Sequence, residues 1–276
     1  WLNHILLSLR RRTEKYQFNA AYLENSSAVS RQLISAVRRQ FLKQGGEVHM
    51  ARRKQTRGKC AFCGREMTRG GLARHLPACS GRQGTIEKAN QKPGKEQRLY
   101  HLQVQDAWQG DFWLHVEMRG SATLADLDHY LRAIWLECCG HLSQFSVGGW
   151  RGEEISMRRQ VKQVFERGLE LTHIYDFGTS SETLVKVVEV REGKSLTSHP
   201  IVLMARNEPP EAECMECGQA ASWLCIECLY ESNEWGTLCD EHAEEHAHEE
   251  YGEPMPLLNS PRVGMCGYDG PAEPPY

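Results

Sequence analysis

Residues 214–248 crowd together Cys214, Cys217, Cys225, Cys228, Cys239, His242, His246 and His248, eight candidate ligands in 35 residues. No other feature constrains the fold as tightly, because eight such groups suffice for two four-coordinate sites. Thiolate and neutral imidazole suit zinc, and a Cys-x-x-Cys turn lets two sulfurs reach one ion at about 2.3 Å. Disulfides between the same cysteines need an oxidising compartment, and no secretory signal is read in the sequence. A metal-binding, cytoplasmic protein is therefore expected.

The spacing narrows the pairing. Seven residues separate the first Cys pair from the second, and ten separate the second from Cys239. One site built from both pairs would leave Cys239, His242, His246 and His248 idle. A cross-brace uses all eight: Cys214 and Cys217 with Cys239 and His242, Cys225 and Cys228 with His246 and His248. This ligand order resembles a B-box zinc module, with a longer third interval than that family usually shows. Cys266, further along, is a candidate to replace one of the last histidines.

A second signature lies at Cys60-x-x-Cys63, followed by eleven residues to His75 and three to Cys79. Gly64 suits the knuckle after the first pair. His75 and Cys79, four apart, would share one face of a helix, with Leu72 and Leu76 as its apolar stripe against Phe62. The pattern resembles a CCHC-type zinc finger, which brings the expected total to three zinc ions.

Charge is distributed unevenly behind a net value of −3: residues 50–98 carry 13 Lys and Arg against 3 acids, and residues 206–276 carry 2 against 16. A phosphate backbone would be met by the basic segment, through Arg52, Arg53, Lys54, Arg57, Lys59, Arg65, Arg69 and Arg74. Arg82 belongs to the same cluster. The plainer reading of these residues is a solvated face on a structural finger. The acidic end repels nucleic acid and points to a protein partner. No run of 18 apolar residues is present, so no membrane span is expected.

Between the two Cys/His regions, after a polar linker at 85–98, the hydropathy pattern changes. Tyr100, Leu102 and Val104 alternate with polar neighbours, and Leu114, Val116 and Met118 alternate with Trp113, His115 and Glu117 across a turn at Gly110. Thr123 and Asp126 start a helix that carries Leu124, Leu127, Leu131 and Ile134 and ends at Gly140. Strands follow over 142–147, 169–177 and 183–190, with a short helix near Val161, Val164 and Phe165. The expectation is an α+β domain over 99–205, a mixed sheet of about five strands with two packed helices.

Trp113 and its strand, Thr123-Leu124-Ala125-Asp126-Leu127, Cys139-Gly140-His141-Leu142-Ser143-Gln144-Phe145 and Tyr175-Asp176-Phe177-Gly178 together resemble the plasmid pRiA4b ORF-3-like family over roughly residues 99–195. That resemblance implies a bacterial α+β domain associated with plasmids or mobile elements and names no reaction. Thr179, Ser181 and Thr183 stand where members often carry Asp, an aromatic and His. No catalytic set is assigned. His115, His141, His173, Asp176 and Glu182, with Ser180 or Cys139 as nucleophile, are the groups an enzyme would have to bring together. Cys138 and Cys139 read as packed thiols.

Two stretches complete the map. Residues 1–49, with a possible helix over 30–42, precede a Met50 whose upstream codons can spell a ribosome-binding sequence, so the natural start is expected at Met50. Residues 206–276 run from an acidic, proline-containing linker through the Cys/His module to a Pro-rich tail.

Overall fold

The computed structural model describes residues 55–268 except 138, 232–235, 248–250 and 267. The expectations for residues 1–49 and for Arg52, Arg53, Lys54, Cys138 and His248 lie outside the described residues.

Alternating apolar positions build one large antiparallel sheet. Its strands are β1 (Arg57–Cys60), β2 (Glu66–Thr68), β3 (Gln97–Asp106), β4 (Trp113–Arg119), β5 (Ser143–Val147), β6 (Glu153–Ile155), β7 (Glu170–Tyr175), β8 (Ser181–Gly193) and β9 (Ile201–Asn207). They lie in the order β2-β1-β9-β4-β3-β8-β7-β5-β6. All the pairings are antiparallel, so the sheet is not mixed, and its nine strands exceed the five expected. Strand β9 accounts for part of the difference: its Ile-Val-Leu-Met run lacks the half-buried alternation because both faces are covered, Ile201 and Leu203 packing with the helix-side core and Met204 with the finger.

One face of the sheet packs on helix α3 (Leu124–Leu131), which Thr123 and Asp126 cap reciprocally. Leu102, Val104, Leu114, Val116 and Met118 meet Leu124, Leu127 and Leu131 there, all fully buried. The helix expected to run to Gly140 loosens into a widened π turn at Arg132–Leu136. Near Val161 there is a single tight 3-10 turn rather than a helix.

The opposite face is where the pattern misleads. Trp113, His115 and Glu117, read as the polar side of β4, are 1%, 0% and 3% exposed. The Cys60–Cys79 segment covers them: helix α1 (Arg69–His75) and helix α2 (Ser80–Gln91) follow β2. Cys60, Leu72, Leu76 and Cys79 pack with Trp113, Met204 and Ala205. Strand β1 pairs with β9, so the finger extends the sheet as well as covering it. Gly58 permits this approach, since a Cβ there would stand 2.0 Å from the Arg206 carbonyl oxygen and 2.7 Å from the Trp113 ring.

Glu117 and His115 are paired on the covered face, although Arg82 Nε and His101 Nδ1 have no hydrogen-bond partner among the described residues. Glu117 accepts from Arg82 at 2.8 Å and from Arg191 at 2.9 and 2.6 Å. His115 Nε2 lies 3.0 Å from the Arg69 carbonyl, which can only accept, so His115 Nδ1 accepts from His101 Nε2 at 2.9 Å. The stretch expected as a polar linker is helical as far as Gln91; α2 is poor in apolar residues and is tied down by buried Arg82 and Ala89.

A small second sheet, β11-β10-β12, consists of β10 (Trp223–Leu224), β11 (Thr237–Leu238) and β12 (Met255–Pro256). Helices α4 (Ile226–Tyr230) and α5 (Asp240–Glu244) are each five residues long. Its core is little more than Leu238, Cys214, Cys225 and Cys228. So little apolar surface does not by itself hold a unit of this size.

Candidate metal centres

Cys60 ends β1 and turns into a knuckle in which Gly64 N–H reaches the Cys60 carbonyl at 2.8 Å, with Gly64 at φ +71°. That turn presents Cys60 and Cys63 together. His75 closes α1, Pro77 sits in a 3-10 turn over Leu76–Ala78, and Cys79 is extended at the start of α2. The expected shared helix face is thus replaced by a break, because proline withholds the N–H that would continue the helix. The ligands still converge: Cys60 and Cys79 sulfurs are 3.8 Å apart, and Cys63 Sγ lies 3.2 Å from His75 Nε2. A tetrahedral zinc site with Zn–S near 2.3 Å has S···S edges of about 3.8 Å, far longer than a disulfide.

Electrostatics distinguish the two knuckle sulfurs. Burial pushes the Cys60 thiol up to about 11, whereas the Arg65 backbone N–H holds Cys63 below its ordinary value. A cation at this point must displace protons, so its affinity rises with pH.

The same knuckle recurs at the acidic end. Gly218, at φ +72°, donates to the Cys214 carbonyl at 2.8 Å. Cys239 caps α5 and His242 lies within it. The Cys217–Cys239 separation is 3.8 Å, and His242 Nδ1 is 3.7 Å from Cys214 and 3.2 Å from Cys239. Burial works to raise the Cys214 thiol, but backbone N–H groups of Cys239, Cys217 and Glu216 bring it to about 6. Cys225 caps α4, Cys228 lies in it, and His246 Nε2 is 3.3 Å from Cys228 Sγ.

Among the described residues, four groups are therefore competent to hold an ion: Cys60, Cys63, His75 and Cys79; Cys214, Cys217, Cys239 and His242; Cys225, Cys228 and His246; and Cys139, His141 and Cys266. All ten described cysteines are free of disulfides. The first three groups bring together the residues that the spacing pairs. The fourth does not follow the expectation: Cys266 joins Cys139 and His141 rather than the last histidines, and Cys139 is exposed rather than packed. Its local signal, Cys139-Gly140-His141, is a short knuckle, but its third ligand lies 127 residues from Cys139 and has no partner by spacing.

Comparison with known proteins adds little. No family model matches the chain, and no curated protein does either. Among solved structures, one of a protein of unknown function from Methanosarcina mazei Go1 is 18% identical, with a TM-score of 0.34 over 45% of this chain and 76% of that one.

Several of the basic candidates already have partners. Arg57 pairs with Glu66 at 2.8 Å and Lys59 with Glu208 at 2.9 Å. Arg69 is half-buried and donates to the Gly110 carbonyl at 3.1 Å, while Arg82 is buried against Glu117. Arg65 and Arg74 are exposed. Of the possible acid–base groups, three have partners elsewhere: His115 is bonded to His101, His173 lies 2.7 Å from Asp128, and Glu182 accepts from Trp150. His141, by contrast, is brought beside both Cys139, at 2.8 Å, and Asp176, at 3.5 Å.

Proposed function

We propose that the chain is a zinc-stabilised, non-catalytic binding protein in which three ions, one in each cluster anticipated from the sequence, fasten small modules onto an antiparallel sheet. The reading rests on the two four-ligand shells, Cys60/Cys63/His75/Cys79 and Cys214/Cys217/Cys239/His242. An ion with four protein ligands keeps no position for a reacting water, so its binding energy goes into folding. His248 is proposed to complete the shell of Cys225, Cys228 and His246.

Nucleic-acid contact is proposed for the basic segment, with Arg65 and Arg74 joining Arg52, Arg53 and Lys54. The resemblance to the pRiA4b ORF-3-like family would set this binding in plasmid or mobile-element biology. A second reading, a scaffold that meets proteins through its acidic end and no nucleic acid, is favoured by the carboxylate partners of Arg57, Lys59 and Arg82.

Two measurements on the full chain test these readings. Cys63→Ser, Cys217→Ser and Cys228→Ser should each remove one zinc; unchanged metal content would overturn the structural role. Binding of random-sequence DNA and RNA should weaken steeply with salt, and the Arg65→Ala/Arg74→Ala variant should lower the log–log slope by roughly two. Weak, salt-insensitive binding would leave the scaffold reading.

A further inference from the structure

We propose that Cys139, His141 and Cys266 form a further zinc-type site that has three protein ligands and leaves its fourth position to a ligand from solvent. His141 Nε2 lies 2.8 Å from Cys139 Sγ and 3.1 Å from Cys266 Sγ, and the two sulfurs are 3.4 Å apart. The three atoms thus form a compact triangle, the base on which a borderline-soft ion sits when bound by two thiolates and an imidazole.

Each side of the triangle is delivered by structure that does not depend on it. Gly140, at φ +72°, folds Cys139 and His141 into one knuckle, and its N–H reaches Glu137 Oε1 at 2.5 Å. The Arg132 guanidinium holds the His141 carbonyl. Cys266 comes from a segment anchored by fully buried Arg262, which binds Asp176 at 2.6 Å, and by Ser260, whose hydroxyl donates to the Trp135 carbonyl. The ligands are therefore positioned before any ion arrives, which lowers the ordering cost of binding.

Backbone strain points to the same place. Among the described residues the non-glycine positions with positive φ are Asp176, at 64°, and Cys266, at 52°. Both adjoin this cluster, and such conformations persist where the surroundings impose them, commonly at ligand sites. Asp176 Oδ2 is 3.5 Å from His141 Nε2 but lies outside the ligand group. From there it is placed to accept a hydrogen bond from a metal-bound water. Cys139 and Cys266 are exposed, as are Cys63 and Cys217 in the four-ligand clusters, so solvent reaches the triangle.

Cobalt(II) substitution of the full chain, with sodium azide as the incoming ligand, tests the site separately from the three structural ions. The wild type should bind four cobalt ions, and azide should shift its visible bands. Cys139→Ser and Cys266→Ser should each bind three, with bands that azide no longer moves, while Cys138→Ser should keep both the ion and the response. Three ions in the wild type, or four with no azide response, would overturn the proposal. So would loss of the fourth ion in Cys138→Ser, which would reveal a fourth protein sulfur. If a serine variant fails to fold, the wild-type metal count and azide titration still decide. Fewer ions from Cys63→Ser or Cys217→Ser would bear only on the structural sites.

Discussion

Removing the Glu117 carboxylate should be among the most damaging single changes away from any metal ligand. Glu117 is 3% exposed and accepts from two guanidiniums, Arg82 at 2.8 Å and Arg191 at 2.6 and 2.9 Å. Arg82 has no recourse to water, being 2% exposed, whereas the Arg191 side chain is 16% exposed. Glu117→Met therefore leaves buried Arg82 with no carboxylate among the described residues nearer than Glu189 at 3.9 Å and loosens Arg191, a change that typically costs about 3–5 kcal/mol. With a urea m-value of roughly 2–3 kcal/mol per molar, the midpoint should fall by about 1–2 M. The assay is urea unfolding in excess zinc, followed by tryptophan fluorescence because Trp113 lies at the same interface. A double-mutant cycle with Arg82→Met isolates the pair, since the double variant no longer buries the stranded charge. It should cost at least about 2 kcal/mol less than the sum of the singles. Additivity, or a Glu117→Met cost below about 1 kcal/mol, would refute the view that this ion pair ties the finger to the sheet.

Three other outcomes follow from the same geometry. Burial drives His101 down to about 2 and His115 to about 4, both below the unfolded value, so the pair contributes stability above about pH 6.5 that is lost as pH falls towards 4. The slope from both is up to about 2.7 kcal/mol per pH unit, and His101→Leu should remove about half of it; equal slopes in urea titrations of the two proteins would count against the assignment. Gly58→Ala, which drives a Cβ into the Arg206 carbonyl, should cost more than about 3 kcal/mol, whereas Gly64→Ala, with φ +71° and open space around it, should cost about 1–2 kcal/mol by thermal unfolding. Chelation of zinc should abolish hydrogen-exchange protection at Cys225 and Ser222 N–H, which bond across the small sheet, before it reaches β3 and β8. Retained protection would mean that the module holds without metal.

How much of this was legible follows from the range of each signal. Cys60, Cys63, His75 and Cys79 span a short stretch, so their spacing is itself the geometry. Strand β4 showed its inward residues by alternation, but nothing local reveals that Trp113, His115 and Glu117 face a second layer. That burial is set by partners near residues 60–82, and a period-two pattern reads the same whether the far side meets water or protein. Lys59 and Arg82 looked like free cations for a similar reason: their carboxylates, Glu208 and Glu117, come from β9's end and from β4. Cys266 could not be placed by spacing at all, because its position depends on Arg262 finding Asp176 across the fold.

The pairing of β1 with β9 also bears on what happens when the ion at Cys60 is lost. Strand β9 would then present its Met204–Asn207 edge, where β1 now pairs, with unsatisfied backbone groups, a template on which a second molecule can add a strand. Metal starvation would on that account register first as self-association, with turbidity preceding any loss of the sheet itself.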